Sequence, residues 1–490
     1  MTVLRDKSVL VLGLGETGLS LARYLHAQGA RVRVADSRLE PPGITTLRNE
    51  LPQAEVHCAP FRDELLHGID RIAISPGVPL ADPFVQRALA RGIPVEGDIE
   101  LFAQQLECES ALSPTLSPAG RGGARERRPL ILAITGSNGK TTVTAMVEHL
   151  CRAAGKEAVA AGNILPAVLD AVLQRGEKQP EVWVLELSSF QLETTFSLNA
   201  DAATVLNVSE DHLDRYAGMD EYAAAKARIF AGNGVQVLNR DDARSKAMAV
   251  GGRKRVTFGL TSPGLPVSAE WAGVEHDLNE TTGDFGIEHH AGALWLVQGS
   301  ERLLKADELQ VSGLHNVANA LAALALCRAI GLPIHKLISA LRTFKGLPHR
   351  VEKVAEVNGI TYYDDSKGTN VGATEAALQG LGKPAVVILG GEGKGQDFSP
   401  LREAVARHAR AVVLIGRDAS LIEAAIAGCG RPVLHARDLA DAVCLATGQA
   451  QSGDAVLLSP ACASFDMFRN YMHRAEVFVQ AVHKLAEATA

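Results

Sequence analysis

The stretch Ile134-Thr135-Gly136-Ser137-Asn138-Gly139-Lys140-Thr141-Thr142 decides the reading of this chain. It follows the apolar run Leu130 to Ile134 and precedes Val143, Met146, Val147 and Leu150, which recur at helical spacing. Strand, glycine loop and helix in that order make an anion cradle. Gly136, Ser137, Asn138 and Gly139 wrap a phosphate, the helix N-terminus offers free N–H groups, and Lys140 adds a charge near the β and γ phosphates of a nucleotide. Thr141 or Thr142 can offer a hydroxyl to Mg2+. The usual G-x-x-x-x-G-K-S/T pattern asks for glycine where this chain has Ile134, so the loop is a tighter variant. A purely structural turn of this composition is the alternative, and a helix opening on Gly139-Lys140-Thr141-Thr142 argues against it.

Working outward, the next apolar strand, Val182 to Leu185, runs straight into Glu186. Magnesium prefers hard oxygen ligands, and open α/β sheets bind ligands at the C-terminal ends of their strands, so Glu186 is a metal-ligand candidate. Ser188 and Ser189 follow it. A third strand, Ala203 to Asn207, leads into Asn207-Val-Ser-Glu-Asp-His-Leu-Asp-Arg-Tyr216 and brings Asp211 and His212 to the same edge. Taken alone, His212 would be an ordinary loop residue.

Closer to the start, residues 8–14 form a strand, followed by Gly13-Leu-Gly15-Glu16-Thr17-Gly18 and then Leu19, Leu21, Ala22 and Leu25 at helical spacing. The glycines fit G-x-G-x-x-G, and Asp36 closes the next strand. A lone match of this kind suggests a dinucleotide site, but an oxidoreductase reading would leave the whole phosphate loop unexplained. Strands alternating with helices predict an α/β domain over 1–97, a central domain over 98–346 and a third α/β unit over 347–490. Short strands with turns are expected around 254–311, then a long Ala-rich helix from about His315 to Ile330. From 108 to 128 Ser, Pro, Gly and Arg dominate, which predicts a flexible insertion with too little apolar surface to offset chain entropy.

Three domains suit a chain of 490 residues. With 47% apolar and 21% charged residues it is an ordinary globular sequence. The net charge of -7 and the dispersed Lys and Arg residues exclude an extended nucleic-acid footprint. Seven scattered cysteines without a C-x-x-C pair argue against a disulfide framework or a zinc site and point to a reducing compartment. No apolar run reaches membrane-spanning length, and the first residues lack a signal-type pattern.

TGSNGKTT, ELSSFQLE, NVSEDHLDRY, SGLHNVANALAALAL, GLPHR, DDSKGTN and SPACAS, in this order, resemble the Mur ligase family over almost the whole chain. Val95 to Phe102, PPG, LPHR and SPACASFDMF resemble its D-glutamate-adding branch. The insertion departs from the family pattern. The resemblance implies an α/β fold with a Rossmann-like UDP-binding N-terminal domain, a P-loop ATPase-like centre with a small antiparallel sheet, and a Rossmann-like C-terminal domain. It also implies a cytoplasmic, monomeric ligase that spends ATP to join D-glutamate to UDP-N-acetylmuramoyl-L-alanine. Another muramyl ligase, or folylpolyglutamate synthase, is the alternative.

Site residues carry over from the resemblance one by one. Lys140, Thr141 and Thr142 would hold ATP phosphates, with Asn316, Asn319, Arg350 and Asp365 around the nucleotide. Glu186, His212, Thr141 and a carbamylated Lys226, formed with CO2, would hold two Mg2+ ions. Gly15, Glu16, Thr17, Asp36, Arg38, Ser75, Pro76, Gly77, Asn163 and Ser188 would meet the UDP-muramyl substrate. Lys367, Thr369, Lys394, Ser464 and Tyr471 would meet D-glutamate, the tyrosine through its backbone more than its ring.

Overall fold

The computed structural model describes residues 4–112, 128–176, 178–212, 215–263, 284–311 and 313–489. Three sheets follow one another along the chain. The first holds β1 (Ser8–Leu12), β2 (Arg31–Asp36), β3 (Glu55–Cys58), β4 (Arg71–Ile74) and β5 (Val95–Glu96) in the order β3-β2-β1-β4-β5, all parallel. Val9 to Leu12 are fully buried, as a central strand covered on both faces requires, hence the unbroken apolar run. Because β1 pairs with both β2 and β4, the loops leaving these three strands meet at one crevice.

The second sheet repeats that logic. Its strands are β6 (Leu130–Thr135), β7 (Ala158–Gly162), β8 (Val182–Glu186), β9 (Ala202–Val205), β10 (Val235–Asn239), β11 (Arg255–Phe258), β12 (Phe285–His290), β13 (Ala293–Gln298) and β14 (Glu301–Lys305). The order is β14-β13-β12-β11-β10-β9-β6-β8-β7. β6 lies between β8 and β9, so the phosphate loop, Glu186 and the loop after β9 share one edge. The expected antiparallel piece is β12 to β14; part of the expected 254–311 region, residues 264–283, lies outside the described residues. The helix Leu314–Ala329 packs its Ala- and Leu-rich body, buried from Ala320 to Cys327, against the helix Lys140–Ala153.

The third sheet comprises β15 (Glu352–Val357), β16 (Ile360–Asp364), β17 (Ala385–Gly390), β18 (Ala409–Ile415), β19 (Val433–His435) and β20 (Ala455–Leu458), ordered β15-β16-β20-β17-β18-β19. It is parallel apart from the edge strand β15.

One expectation needs correction. The helix Asp98–Leu112 continues past 108, where the irregular insertion was expected to start, because Cys108-Glu109-Ser110-Ala111-Leu112 contains no helix breaker ahead of Pro114. The rest of that segment, 113–127, lies outside the described residues. The same helix joins the first two domains through a shared apolar cluster, where Phe102 meets Trp183 edge-on at 5.3 Å. Among the described residues no helix is long and apolar enough to cross a membrane, and the seven cysteines are free thiols.

Candidate active site

The phosphate loop is held open by the loop after β9. Ser137 N–H donates to the Asn207 carbonyl (2.9 Å), Asn138 N–H to Asn207 Oδ1 (2.8 Å), and Ser137 Oγ to the Ser209 carbonyl (2.9 Å). Gly139 caps the following helix at φ +83°, and a Cβ there would lie 2.6 Å from Asn319 Oδ1. Glycine therefore serves both the left-handed backbone and the close approach of the Asn316–Asn319 helix. Lys140 Nζ curls back to the carbonyls of Gly136 (2.8 Å) and Ser137 (2.9 Å), the contacts a phosphate would replace.

Lys226, on the helix Met219–Ala227, is almost wholly buried. Its Nζ donates to the Gly136 carbonyl (3.0 Å) and lies 4.5 Å from the Tyr222 ring centroid. Burial, and then the neighbouring charge of Lys140, push its ammonium well below the ordinary lysine range. Lys140 is also lowered by burial, against the opposing pull of Glu186 and Asp211.

Glu186 is buried at the end of β8. Its Oε1 accepts from Asn163 Nδ2 (3.0 Å), while Oε2 is buried without a hydrogen-bond partner among the described residues. A buried carboxylate oxygen without a hydrogen-bond donor fits a hard divalent cation. His212 sits at φ +57° with its ring 4.7 Å from that of Phe190; burial lowers its pKa although Asp211 opposes this. Ser188 caps the short helix Ser189–Glu193 in a reciprocal box with Gln191.

The third domain reaches the same loop. Arg350 Nη2 donates to Thr141 Oγ1 (2.7 Å), and Asn370 Nδ2 to Asn138 Oδ1 (3.0 Å). A cavity of about 320 Å3 is lined by Asn138, Gly139, Thr142, Asn316, Asn319, Arg350, Asp365 and Lys367. Asp365 is buried, accepts from Ser459 Oγ (2.7 Å) and is pushed up to about 7, chiefly by desolvation. Lys367, grouped by the resemblance with the D-glutamate residues, lines this cavity and not the space around Thr369 and Lys394; it lies 4.0 Å from the Tyr471 ring centroid and is lowered to about 8 by burial and then by Arg350. Tyr471 therefore presents its ring to Lys367 while its carbonyl accepts from Ser366 Oγ (2.8 Å). A second, tighter space is bounded by Asp211, His212, Thr369, Gly393, Lys394 and Gln396. Ser464 is buried and is not among the residues bounding that space; it follows Ala463, which bridges to Glu392, the residue before Gly393.

In the first domain, Gly15 caps the helix Glu16–Ala27, whose first turn carries Glu16 and Thr17. A Cβ on Gly18 would lie 1.8 Å from the Gly13 carbonyl oxygen, so the helix can sit on the turn only with glycine there. Asp36 accepts from Leu14 N–H (2.7 Å) and from the Arg38 guanidinium (2.8 and 2.7 Å). Burial alone would raise Asp36, but these donors outweigh it and hold the carboxyl below its ordinary value. Ser75, Pro76 and Gly77 form the turn leaving β4, beside the same crevice.

Several structural partners were not singled out from the sequence. Asn207 and Asn370 shape the phosphate loop, and Gln396 frames the tighter space by donating to the carbonyls of Gly393 (3.0 Å) and Ala461 (2.8 Å). His349 Nδ1 pairs with Asp364 (2.7 Å), one residue before Arg350. For Asn207, His349, Asp364 and Asn370 the signal was present only as membership of NVSEDHLDRY, LPHR and DDSKGTN; Gln396 lies in none of these stretches.

A phosphate loop joined by residues of the central and third domains, with a buried lysine against it and a buried carboxylate oxygen at the end of the neighbouring strand left unpaired among the described residues, is the build of a nucleotide-dependent α/β enzyme. Family models match the Mur ligase MurD-like N-terminal domain at residues 7–97, the Mur ligase middle domain at 134–327 and the Mur ligase glutamate ligase domain at 349–462. A UDP-N-acetylmuramoylalanine–D-glutamate ligase of Thiobacillus denitrificans is 57% identical, covering 99% of this chain and 98% of the relative. Its counterpart of Nitrosospira multiformis is 55% identical, covering 99% and 97%. Among solved structures, the UDP-N-acetylmuramate-alanine ligase MurC of Thermotoga maritima aligns with TM-score 0.58 at 20% identity, covering 98% of this chain and 99% of that one. The MurF ligase of Thermotoga maritima in complex with ADP aligns with TM-score 0.58 at 17% identity, covering 99% and 96%. The chain belongs to the Mur ligase family.

Proposed function

We propose that this chain is the ATP-dependent ligase that joins D-glutamate to UDP-N-acetylmuramoyl-L-alanine in peptidoglycan precursor synthesis. The names of its relatives at 50–57% identity support the substrate pair. The observation that carries the chemistry is the convergence of Lys140, Lys226 and the unpaired oxygen of Glu186 on one glycine loop, with Arg350 of the third domain on Thr141.

A free carboxylate is a poor acyl donor, so the γ-phosphoryl group of ATP first passes to the L-alanyl carboxylate, releasing ADP and leaving an acyl phosphate. Lys140 leaves the loop carbonyls and joins the loop N–H groups around the transferred phosphoryl group, where positioning and fixed charge do most of the work. The D-glutamate amine then attacks the acyl carbon, and the tetrahedral adduct expels phosphate as the amide forms. Lys394, Thr369 and Ser464 would receive the carboxylates of D-glutamate, charge-assisted donors being the natural partners of a dianion. Asn316, Asn319 and Asp365 would line the nucleoside side.

Glu186, His212 and Thr141 would hold Mg2+, which neutralises phosphate charge when bound. Lys226 would add a further ligand as a carbamate. Its depressed basicity favours the neutral amine, whose nitrogen attacks CO2 and loses a proton to leave a carboxylate-like anion. Two ions, a cytoplasmic location and a monomer complete the reading.

ADP release should require UDP-N-acetylmuramoyl-L-alanine and, from a panel of amino acids, D-glutamate. Turnover with a different amino acid in its place would reassign the chain within the family.

A further inference from the structure

The helix Ser189–Glu193, which begins three residues after Glu186, is held on one side by the helix that leaves the first domain and on the other, through Arg215, by a turn of the first domain itself. On one side the grip is rigid. Asp98 Oδ2 accepts from Gln191 Nε2 (2.9 Å), and Gln191 Oε1 in turn accepts from Ser188 N–H and Oγ (both 3.1 Å). Glu100 Oε2 accepts from the N–H groups of Phe196 (2.6 Å) and Ser197 (2.9 Å) just beyond the helix. The segment leaving the first domain is thus fixed to the element that follows the metal-ligand candidate.

On the other side the grip is a single side chain. Arg215 Nη2 donates to Glu193 Oε2 (2.7 Å) and Nη1 to the Pro76 carbonyl (2.6 Å), while its guanidinium lies 3.9 Å from the Phe190 ring centroid. Both charged side chains are mostly buried, at 11% and 16% exposure. Arg215 N–H also donates to the His212 carbonyl (3.0 Å), and Phe190 touches the His212 ring. One planar fork therefore joins the Ser75–Gly77 turn of the first domain to the loop that carries His212, a task that needs two donors at a fixed angle and suits arginine rather than lysine.

We propose that Arg215 is a positioning residue that sets how far the UDP-linked substrate reaches toward the phosphate loop. This rests on the reading that the first domain holds that substrate. The reacting carboxylate and the γ-phosphate would be bound on different domains, and a shift of about 1 Å between groups so held can cost roughly 100-fold in rate. Arg215 controls that separation because it contacts both sides of the seam while touching no reacting atom.

The test compares full-length wild type, Arg215→Ala, Arg215→Lys and Glu193→Gln in steady-state ADP release, with KM measured for each substrate and folding followed by circular dichroism. Arg215→Ala should raise KM for the UDP-linked substrate at least tenfold and lower kcat, with KM for ATP within twofold of wild type. Arg215→Lys should recover part of the loss, since an ammonium can satisfy one acceptor. Glu193→Gln, nearly equal in volume, should move the same constant in the same direction by less, and it keeps the test decisive if Arg215→Ala does not fold. An unchanged KM for the UDP-linked substrate in the folded variants, or equal rises for all three substrates, overturns the inference. Wild type that releases no ADP with the UDP-linked substrate overturns instead the functional reading beneath it.

Discussion

If the nucleotide occupies the cavity that Lys367 lines, this residue should tie nucleotide affinity to pH in a way that can be measured. Its side chain lines the larger cavity beside Arg350, and burial followed by that like charge lowers its pKa from 10.5 to about 8. For a base, a lowered value means that the cation is present below about pH 8 and lost above it, so affinity for an anion should fall as pH rises. With a pKa of about 8, roughly nine-tenths of the molecules carry the charge at pH 7 and roughly one-tenth at pH 9. If phosphate binds the ammonium form, ADP affinity should fall about tenfold across that interval, equal to about 1.4 kcal/mol. Binding at pH 9 should also take up close to one proton. Titration calorimetry in buffers of different ionisation enthalpy reads both quantities. Lys367→Arg, which stays charged throughout, isolates this residue from Lys140 and Lys226, whose values are lowered as well. The reasoning is refuted if Lys367→Arg shows the same pH slope and the same proton uptake as wild type.

Gly139→Ala should destabilise the chain by about 1–2 kcal/mol from its left-handed backbone alone, and displacement of Asn319 should raise KM for ATP; denaturant melts and steady-state kinetics check the two effects. Glu186→Gln keeps an oxygen for the Asn163 amide, so its melt should match wild type while Mg2+-supported turnover falls by about 100-fold or more; magnesium titrations of the rate decide it. Asp365 holds its proton up to about pH 7 in the fold but only to about 3.8 when unfolded, so folding stability is favoured at low pH and lost as pH rises through about 7. Asp365→Asn should therefore raise the melting temperature more at pH 8 than at pH 5, and scanning calorimetry at the two pH values measures the difference.

How much of this was legible in the sequence follows from how local each signal is. The phosphate loop is written in consecutive residues, since Gly136 to Thr142 depend on one turn and one helix start, and its place between strand and helix agrees with the structure. Glu186 was equally readable because an apolar strand simply ends in a carboxylate. Lys226 was not readable from its neighbours. Ala-Ala-Ala-Lys-Ala has the look of a surface helix, and the lysine is buried only because the helix Met219–Ala227 lies across the loop that starts at Gly136. Lys367, Arg350 and Asp365 meet Asn138 and Asn319 through packing between domains, for which a single sequence has no local code. The helix past residue 108 was misjudged for a related reason: composition averaged over 108–128 concealed a helical start before the first proline.

The same distribution explains why the charged cluster is divided between two domains. Lys140, Lys226, Arg350, Lys367 and Lys394 approach one another around one loop; burial lowers the pKa values of Lys140, Lys226, Arg350 and Lys367, and repulsion from neighbouring cations adds to it at Lys140, Lys226 and Lys367. On a single rigid domain such a cluster would be a standing cost to folding. Spread across the central and third domains, part of that cost falls on domain contact rather than on either core, and polyanions that arrive with their own negative charge offset it. Arg350 on Thr141 and Asn370 on Asn138 then join the domains at the place where phosphate charge would gather, so docking of the third domain and retention of the nucleotide draw on the same electrostatic free energy.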